Sequence, residues 1–234
     1  MWDDGKVTVL LSGGGDRKAV RRVVDRLCRE LASKAGASKA RLGVLAGGDP
    51  VTREVVDAVA PPLGVDAVHL PETPQTGDLL TLAGVLVGDG DAAQQLMAFG
   101  ETISDLRGLV HRGASYAGIG SGAAIAAEQA LLGGSEVGSV PVAPTTSETE
   151  REVELTAGLG LIDLTVLPHA AASGRIGLGV ATIEAGLTDR IIGLDDATTL
   201  SIRDGALELL GPGSMWELLR TEDGVLVRTS RVSA

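Results

Sequence analysis

The sequence predicts an α/β fold, a doubly wound and mainly parallel sheet with helices on both faces and antiparallel strands at the C-terminal edge. Three observations carry this prediction. Short β-branched and Leu-rich blocks alternate along the chain with segments whose apolar residues recur at helical spacing. Successive strand-like blocks are joined by connections of about a dozen residues or more, as right-handed βαβ crossovers require. From Ile191 onward the helical spacing gives way to short alternating or clustered blocks separated by Gly turns. With 234 residues, 44% of them hydrophobic, the chain has enough apolar surface for a sizeable core, so residues 1–234 are expected to form a single domain.

The first unit opens with residues 6–12 (K-V-T-V-L-L-S), a strand ending in Gly13-Gly14-Gly15-Asp16, beyond which Val20, Val23, Val24, Leu27 and Leu31 predict an amphipathic helix. The pattern repeats: residues 41–46 read as a strand, Gly47-Gly48-Asp49-Pro50 as a turn into a helix that runs to Val59, and residues 65–70 as a third strand. A fourth strand at 85–87 ends in Gly88-Asp89-Gly90-Asp91 before a helix over 92–99. Residues 114–119 make a fifth strand, and after Gly120-Ser121-Gly122 a small-residue helix is expected over 123–132, able to pack close to the sheet. Gly, Pro and a polar T-T-S-E-T-E run mark residues 133–150 as a surface excursion, either a lid or a plain loop.

Charge narrows the partners. The chain has 20 Lys and Arg against 31 Asp and Glu, a net charge of −11, which is the wrong sign for nucleic acid or an anionic membrane surface. No apolar run approaches the roughly 18 residues of a membrane span. The opening Met1-Trp2-Asp3-Asp4-Gly5 lacks the basic start and apolar stretch of a secretion signal, so a cytoplasmic location is expected. A single Cys28 excludes an internal disulfide and a multi-cysteine metal site, and its helical company predicts a buried small hydrophobe. His69 and His111 have no spacing that joins them to His169 as metal ligands, so neither a metal nor another cofactor is expected. Met215 and Trp216 are expected in the core or in dimer contacts, and a homodimer is allowed.

In doubly wound sheets ligands bind outside the carboxyl ends of the strands, which points to the loops that follow them. Gly13-Gly14-Gly15 lacks both the Lys-Ser/Thr ending of a P-loop and the G-x-G-x-x-G spacing, leaving a tight turn or an exposed set of amides. A dinucleotide site would also want an acidic ribose ligand in context, and none is present. The most informative segment is Tyr116-Ala117-Gly118-Ile119-Gly120-Ser121-Gly122-Ala123-Ala124, a strand turning into a helix through small residues, which is the setting of a nucleophile elbow. Its register is unusual: the residue with Gly two before and two after is Gly120, not Ser121. His169 follows the apolar run L-T-V-L-P, where a strand end presents polar groups.

Taken in order, these motifs resemble the cyanophycinase and dipeptidase E group of serine peptidases, whose fold is similar to that of class I glutamine amidotransferases. The resemblance runs from Gly13-Gly14-Gly15-Asp16 through Val87-Gly88-Asp89-Gly90-Asp91, which is similar to a G-G-G-N/D loop, to Gly118–Ala123 (G-I-G-S-G-A), similar to G-x-S-A-G-A. Gly158-Leu159-Gly160-Leu161, His169, Gly174-Arg175-Ile176-Gly177 and Gly193-Leu194-Asp195-Asp196-Ala197-Thr198 continue it in family order. The resemblance implies attack on an amide by an elbow serine, with His169 as general base. The amides of the Gly88-Asp89-Gly90 loop and of the residue after the nucleophile, with Gly120 and Gly122 shaping the turn, would hold the oxyanion. Asp196 matches an acidic position and either orients His169 or is a turn residue, and Arg175 matches an Arg suited to a substrate carboxylate.

The chain departs from the family at several of these places. Gly120 stands where the family has its nucleophile, Ser121 where it has Ala, and Asp89 where it has the middle Gly of the oxyanion loop. If Asp89 faces the site its charge opposes a developing oxyanion. Leu167, Pro168 and Ser173 replace residues that suit the family pocket to cyanophycin, which argues against that substrate. The leading expectation is a hydrolase acting on a small peptide or amino-acid amide, attacked by Ser121 or by a water activated by His169. A non-catalytic homologue that binds a small carboxylate or peptide, and an acyl-transfer biosynthetic enzyme, are the alternatives.

Overall fold

The computed structural model describes residues 8–36, 38–144 and 152–232. Residues 6 and 7 of the expected first strand, and the 145–150 polar run, lie outside the described residues. The chain opens with β1 (Thr8–Ser12), α1 (Arg17–Ala35), β2 (Ala40–Leu45), α2 (Pro50–Val59), β3 (Val65–His69) and α3 (Thr76–Leu79). It continues through β4 (Gly84–Val87), α4 (Ala92–Phe99), α5 (Ile103–His111), β5 (Ser115–Ile119) and α6 (Ser121–Ile125). The five strands run parallel in the order β1-β5-β4-β2-β3. Three of the loops that leave them end in the same device: Asp16, Asp49 and Asp91 accept from the backbone N–H of Ala19, Thr52 and Gln94 at 2.9, 3.0 and 2.9 Å, fixing where α1, α2 and α4 begin.

Helices cover both faces. On one, Val20, Val23, Val24, Leu27 and Leu31 of α1 join Val55 and Val56 of α2 against Leu42, Val44 and Leu86. On the other, Leu96, Phe99 and Leu106 of α4 and α5 pack with Ala123 and Ile125 of α6 against Val85, Val87 and Tyr116. Cys28 is fully buried in the first layer, and desolvation, aided by Asp25, pushes its thiol up to about 12, which leaves it inert as a nucleophile. Among the described residues no helix is long and apolar enough to cross a membrane.

The second half differs from expectation in two respects. The helix expected over 123–132 stops at Ile125 and the chain becomes β6 (Gln129–Gly133). The cause is competition for carbonyls: the N–H groups of Gly158, Leu159, Gly160 and Leu161 donate to Glu128, Ile125, Ala127 and Ala126 O, so this segment takes the acceptors that a continuing helix would use. β6 then pairs with β9 (Glu154–Ala157), and a short hairpin of β7 (Glu136–Val137) and β8 (Val140–Pro141) forms part of the expected excursion.

The C-terminal strands are divided between two sheets. After β10 (Thr165–Leu167), α7 (Ile176–Glu184) and β11 (Arg190–Leu194), the strands β12 (Thr199–Arg203) and β13 (Ala206–Leu210) add antiparallel to the central sheet beside β1. By contrast β14 (Ser214–Thr221) and β15 (Gly224–Arg231) extend a separate sheet, β10-β11-β14-β15, in which only β10 and β11 are parallel. His169 therefore follows a strand of the smaller sheet, and the site is assembled where the two sheets meet.

Candidate active site

The elbow is built by close approach. A Cβ on Gly118 would lie 2.3 Å from Gly122 O, and one on Gly122 would lie 2.4 Å from Val87 O, so the strand, turn and helix pass too closely for side chains. Gly120 caps α6 at φ 56 and ψ −120, a conformation strained for any residue with a side chain and the one expected at an elbow apex. The space above the apex is filled. A Cβ on Gly120 would sit 2.1 Å from Asp89 Oδ1 and 2.2 Å from its Cγ, so the carboxylate of the β4–α4 loop occupies the volume that a side chain at position 120 would take.

That carboxylate is held at both oxygens. Asp89 Oδ1 accepts from the backbone N–H groups of Ser121 and Gly90, both at 2.9 Å, while Oδ2 lies 2.9 Å from His169 Nε2. On its far side the imidazole meets Asp196, with Nδ1 to Oδ1 at 2.7 Å. The Gly13-Gly14-Gly15 turn makes room for this arrangement. A Cβ on Gly14 would lie 2.2 Å from His169 Cε1, the His169 N–H donates to Gly13 O at 3.0 Å, and the Ala197 N–H donates to Gly14 O at 2.8 Å. The triple glycine is thus a seat for the His169 ring.

Charge follows from this geometry. Neutral imidazole has one N–H, but both ring nitrogens here face carboxylate oxygens, an arrangement satisfied in full only by the imidazolium. The hydrogen bond to Asp89, against the opposing pull of burial and with help from Asp196, raises the His169 pKa above its ordinary 6.5. Burial pushes Asp89 up, but the hydrogen bonds from His169 and the Ser121 N–H outweigh it and hold the carboxyl below its ordinary 3.8.

Ser121 lies elsewhere. It is 7% exposed, and its Oγ donates to Gln95 Oε1 at 2.9 Å while Gln95 Nε2 donates to Gly88 O at 2.9 Å. The expected Ser121–His169 pairing is therefore corrected: one residue past the apex the hydroxyl turns into α4, and Asp89 takes the imidazole instead. The expected oxyanion donors are corrected too. The Gly88 N–H is spent on Leu45 O at 2.9 Å and the Gly120 N–H on Ser12 O at 3.0 Å, while Gly122 serves as a contact point against Val87. Of the expected donors, the Gly90 and Ser121 amides turn to the site, and Asp89 Oδ1 holds both.

A cleft of about 380 Å³ opens over this group, lined among others by Asp89, Ser121, Leu131, Pro168, His169 and Arg175. Arg175, the N-cap residue of α7, is half-buried, its guanidinium has no hydrogen bond or ion pair among the described residues, and its pKa is lowered by burial. A desolvated guanidinium lining a cleft is suited to a carboxylate ligand. His69 pairs with Asp57 at 2.7 Å and is not among the cleft residues. Among the described residues no group of three or more His, Cys, Asp and Glu is arranged to hold a metal ion. Gln95 was not singled out by the sequence, since a Gln within a helix carries no signal of its own.

The fold and site define a parallel α/β protein whose strand–turn–helix elbow faces a His–Asp pair. Within that class the chain belongs to peptidase family S51, which matches residues 43–210 and so includes Asp89, Gly120, Ser121, His169, Arg175 and Asp196. Family membership supports a peptidase-like function. The fold is similar to the crystal structure of a peptidase from an acI-B1 Actinobacterium, with 17% identity, a TM-score of 0.65, and 98% of this chain and 95% of that one covered. It is also similar to a putative peptidase E protein from Listeria monocytogenes EGD-e, with 18% identity, a TM-score of 0.60, and coverages of 88% and 98%. The chain matches no curated protein.

Proposed function

We propose that the protein hydrolyses a small peptide or amino-acid amide bearing a carboxylate, using the Asp89–His169 pair in place of a serine nucleophile. The observation that carries this reading is the position of Asp89: its carboxylate fills the apex volume and contacts His169 Nε2 at 2.9 Å, while Asp196 holds the other ring nitrogen. Arg175 takes the substrate carboxylate and brings the amide over the pair. A water molecule attacks the amide carbon and passes its proton to Asp89 Oδ2. His169 Nε2 gives its proton to the leaving nitrogen as the C–N bond breaks, and the proton on Asp89 then returns to the ring. The low pKa of Asp89 keeps the base ionised, the raised pKa of His169 keeps the acid charged, and the imidazolium is the positive charge nearest the developing oxyanion.

A second reading, binding without turnover, is favoured by one observation: the Ser121 N–H, a donor suited to an oxyanion, is already taken by Asp89 Oδ1. A screen of Asp-containing dipeptides and amino-acid amides separates the two. Turnover by the wild type that His169→Ala and Asp89→Asn abolish, and Ser121→Ala keeps, supports the pair mechanism. A wild type that is inert while such a ligand raises its melting temperature supports binding.

A further inference from the structure

Behind the cleft lies a carboxylate that the proposed chemistry does not use. Asp195 is half-buried, and its two oxygens collect three donors. Oδ1 accepts from the Ala171 N–H at 3.1 Å and from Trp216 Nε1 at 2.8 Å, and Oδ2 accepts from the Ser214 N–H at 3.2 Å. One donor belongs to the turn that carries His169, and the other two belong to β14. The backbone on either side is strained: His169 has φ 52 and Ala197, beside Asp196, has φ 59. A residue other than Gly in that region costs on the order of 1–3 kcal/mol and persists only where its surroundings over-determine it.

We infer that Asp195 is a positioning residue which, anchored by Trp216, locks the His169 turn and the Asp196 turn in the register that lets one imidazole meet Asp89 and Asp196 together. Asp195 is adjacent to Asp196 in the chain and bonded to the second residue after His169, so its carboxylate couples two turns that also meet through the Gly13–Gly14 backbone, the pairing of Ala170 N–H with Leu194 O and the His169–Asp196 contact itself. Its catalytic meaning rests on the proposed acid–base pair. The positioning itself can be measured without turnover.

The test is an NMR titration of the His169 ring in the full chain, with Asp195→Asn and Trp216→Phe as variants and His169→Gln to assign the signal against His69 and His111. The charged groups at the ring or in the same cleft are Asp89 and Asp196 at its two nitrogens and Arg175 and Asp91 lining the cleft, with Asp195 behind. The wild type should show both ring N–H protons and a midpoint above the ordinary 6.5. Both variants should lower the midpoint and weaken the Nδ1–H signal, Asp195→Asn more strongly. Trp216→Phe is the decisive variant, because it leaves the Asp195 charge in place and removes only its anchor. A Trp216→Phe ring that keeps both N–H signals and its midpoint overturns the inference, whether Asp195→Asn shifts the ring by charge alone or fails to fold. An inert wild type whose ring is nonetheless loosened in Trp216→Phe refutes hydrolysis and leaves the positioning role intact.

Discussion

Two acids, at opposite ends of the central sheet, are each neutralised by a cation, and they serve different ends. Glu30 of α1 accepts from Ser115 Oγ and Lys34 Nζ, both at 2.8 Å, beside the start of β5, and its side chain is 6% exposed. Burial pushes its pKa up, and the hydrogen bonds from Lys34 and Ser115 help to bring it below the ordinary value. Asp89 meets His169 beyond the end of β4, with its side chain 39% exposed and a cleft above it. The first acid is closed off from ligands and paired with a lysine. The second is open, paired with the side chain that titrates nearest neutrality, and set among strained turns. Exposure and the identity of the cation, more than the presence of an ion pair, separate a structural carboxylate from a chemical one.

The largest expected effect breaks the second site alone. His169→Ala should lower hydrolysis by about 10²–10⁴-fold, the usual contribution of a positioned proton donor, with a smaller loss of stability in the pH range where the charged ring pairs with Asp89 and Asp196. Initial rates beside a thermal melt check it, and a variant that keeps its rate would remove His169 from the chemistry. Glu30→Ala should do the reverse. It removes the buried carboxylate that accepts from Lys34 Nζ and Ser115 Oγ, at a cost of about 3 kcal/mol, with the rate of the remaining folded protein unchanged. Chemical denaturation with activity measured on the same samples tests that separation.

Filling the apex comes next. Gly120→Ser places a Cβ within 2.1 Å of Asp89 Oδ1 and puts a side chain at φ 56, so the carboxylate must leave the imidazole. The expected result is a loss of about 1–3 kcal/mol from backbone strain, together with a fall in the His169 pKa. A His169 titration that does not move would show that the carboxylate is held in place by something other than the empty apex.

The pH dependence of stability sharpens the contrast further. His169 has a folded pKa raised above 6.5, so its contribution is complete below about pH 6.5 and disappears as pH rises through the folded value. Asp89 is lowered below 3.8, so its contribution is complete above that pH and is lost as pH falls through the folded value. Glu30 is lowered too and shares the acid limb, whereas the decline that begins as pH rises above 6.5 belongs to His169. His169→Gln should therefore flatten the fall in melting temperature above pH 6.5, and Glu30→Gln should leave that limb unchanged. An unaltered alkaline limb in His169→Gln would mean that the ring is not charged in the native state.

Much of this was legible in the sequence, because the central sheet is written locally. β-branched blocks, Gly-Asp loop ends and the Val20–Leu31 periodicity each act within about a dozen residues, and β1 to β5, α1, α2 and α4 appear where their own residues place them, whereas α3 and α5 were not read from the sequence. The glycines at 118, 120 and 122 announced an elbow for the same reason. What the sequence hid depends on partners far along the chain. α6 ends early because residues 158–161 take its carbonyls, β13 and β14 go to different sheets although they follow one another, and Asp89 reaches His169 across a separation of 80 residues. The register rule excluded a serine at the apex but could not say what would fill the space, since no local pattern encodes a carboxylate arriving from another loop.

The smallest expected effect concerns Ser121, and its smallness is its value. Ser121→Ala removes the Oγ–Gln95 hydrogen bond and leaves a buried Gln95 Oε1 without its donor, at a cost of about 1 kcal/mol. It leaves the backbone N–H that Asp89 accepts, because that donor belongs to the main chain. Asp89, His169 and Asp196 therefore keep their contacts, and the rate on any substrate should stay within about twofold of the wild type. A serine nucleophile predicts instead a loss comparable to that of His169→Ala, so assaying these two variants side by side decides which oxygen the site uses. Equal collapse of both would return Ser121 to the centre of the chemistry and reduce Asp89 to a plug that substrate must displace.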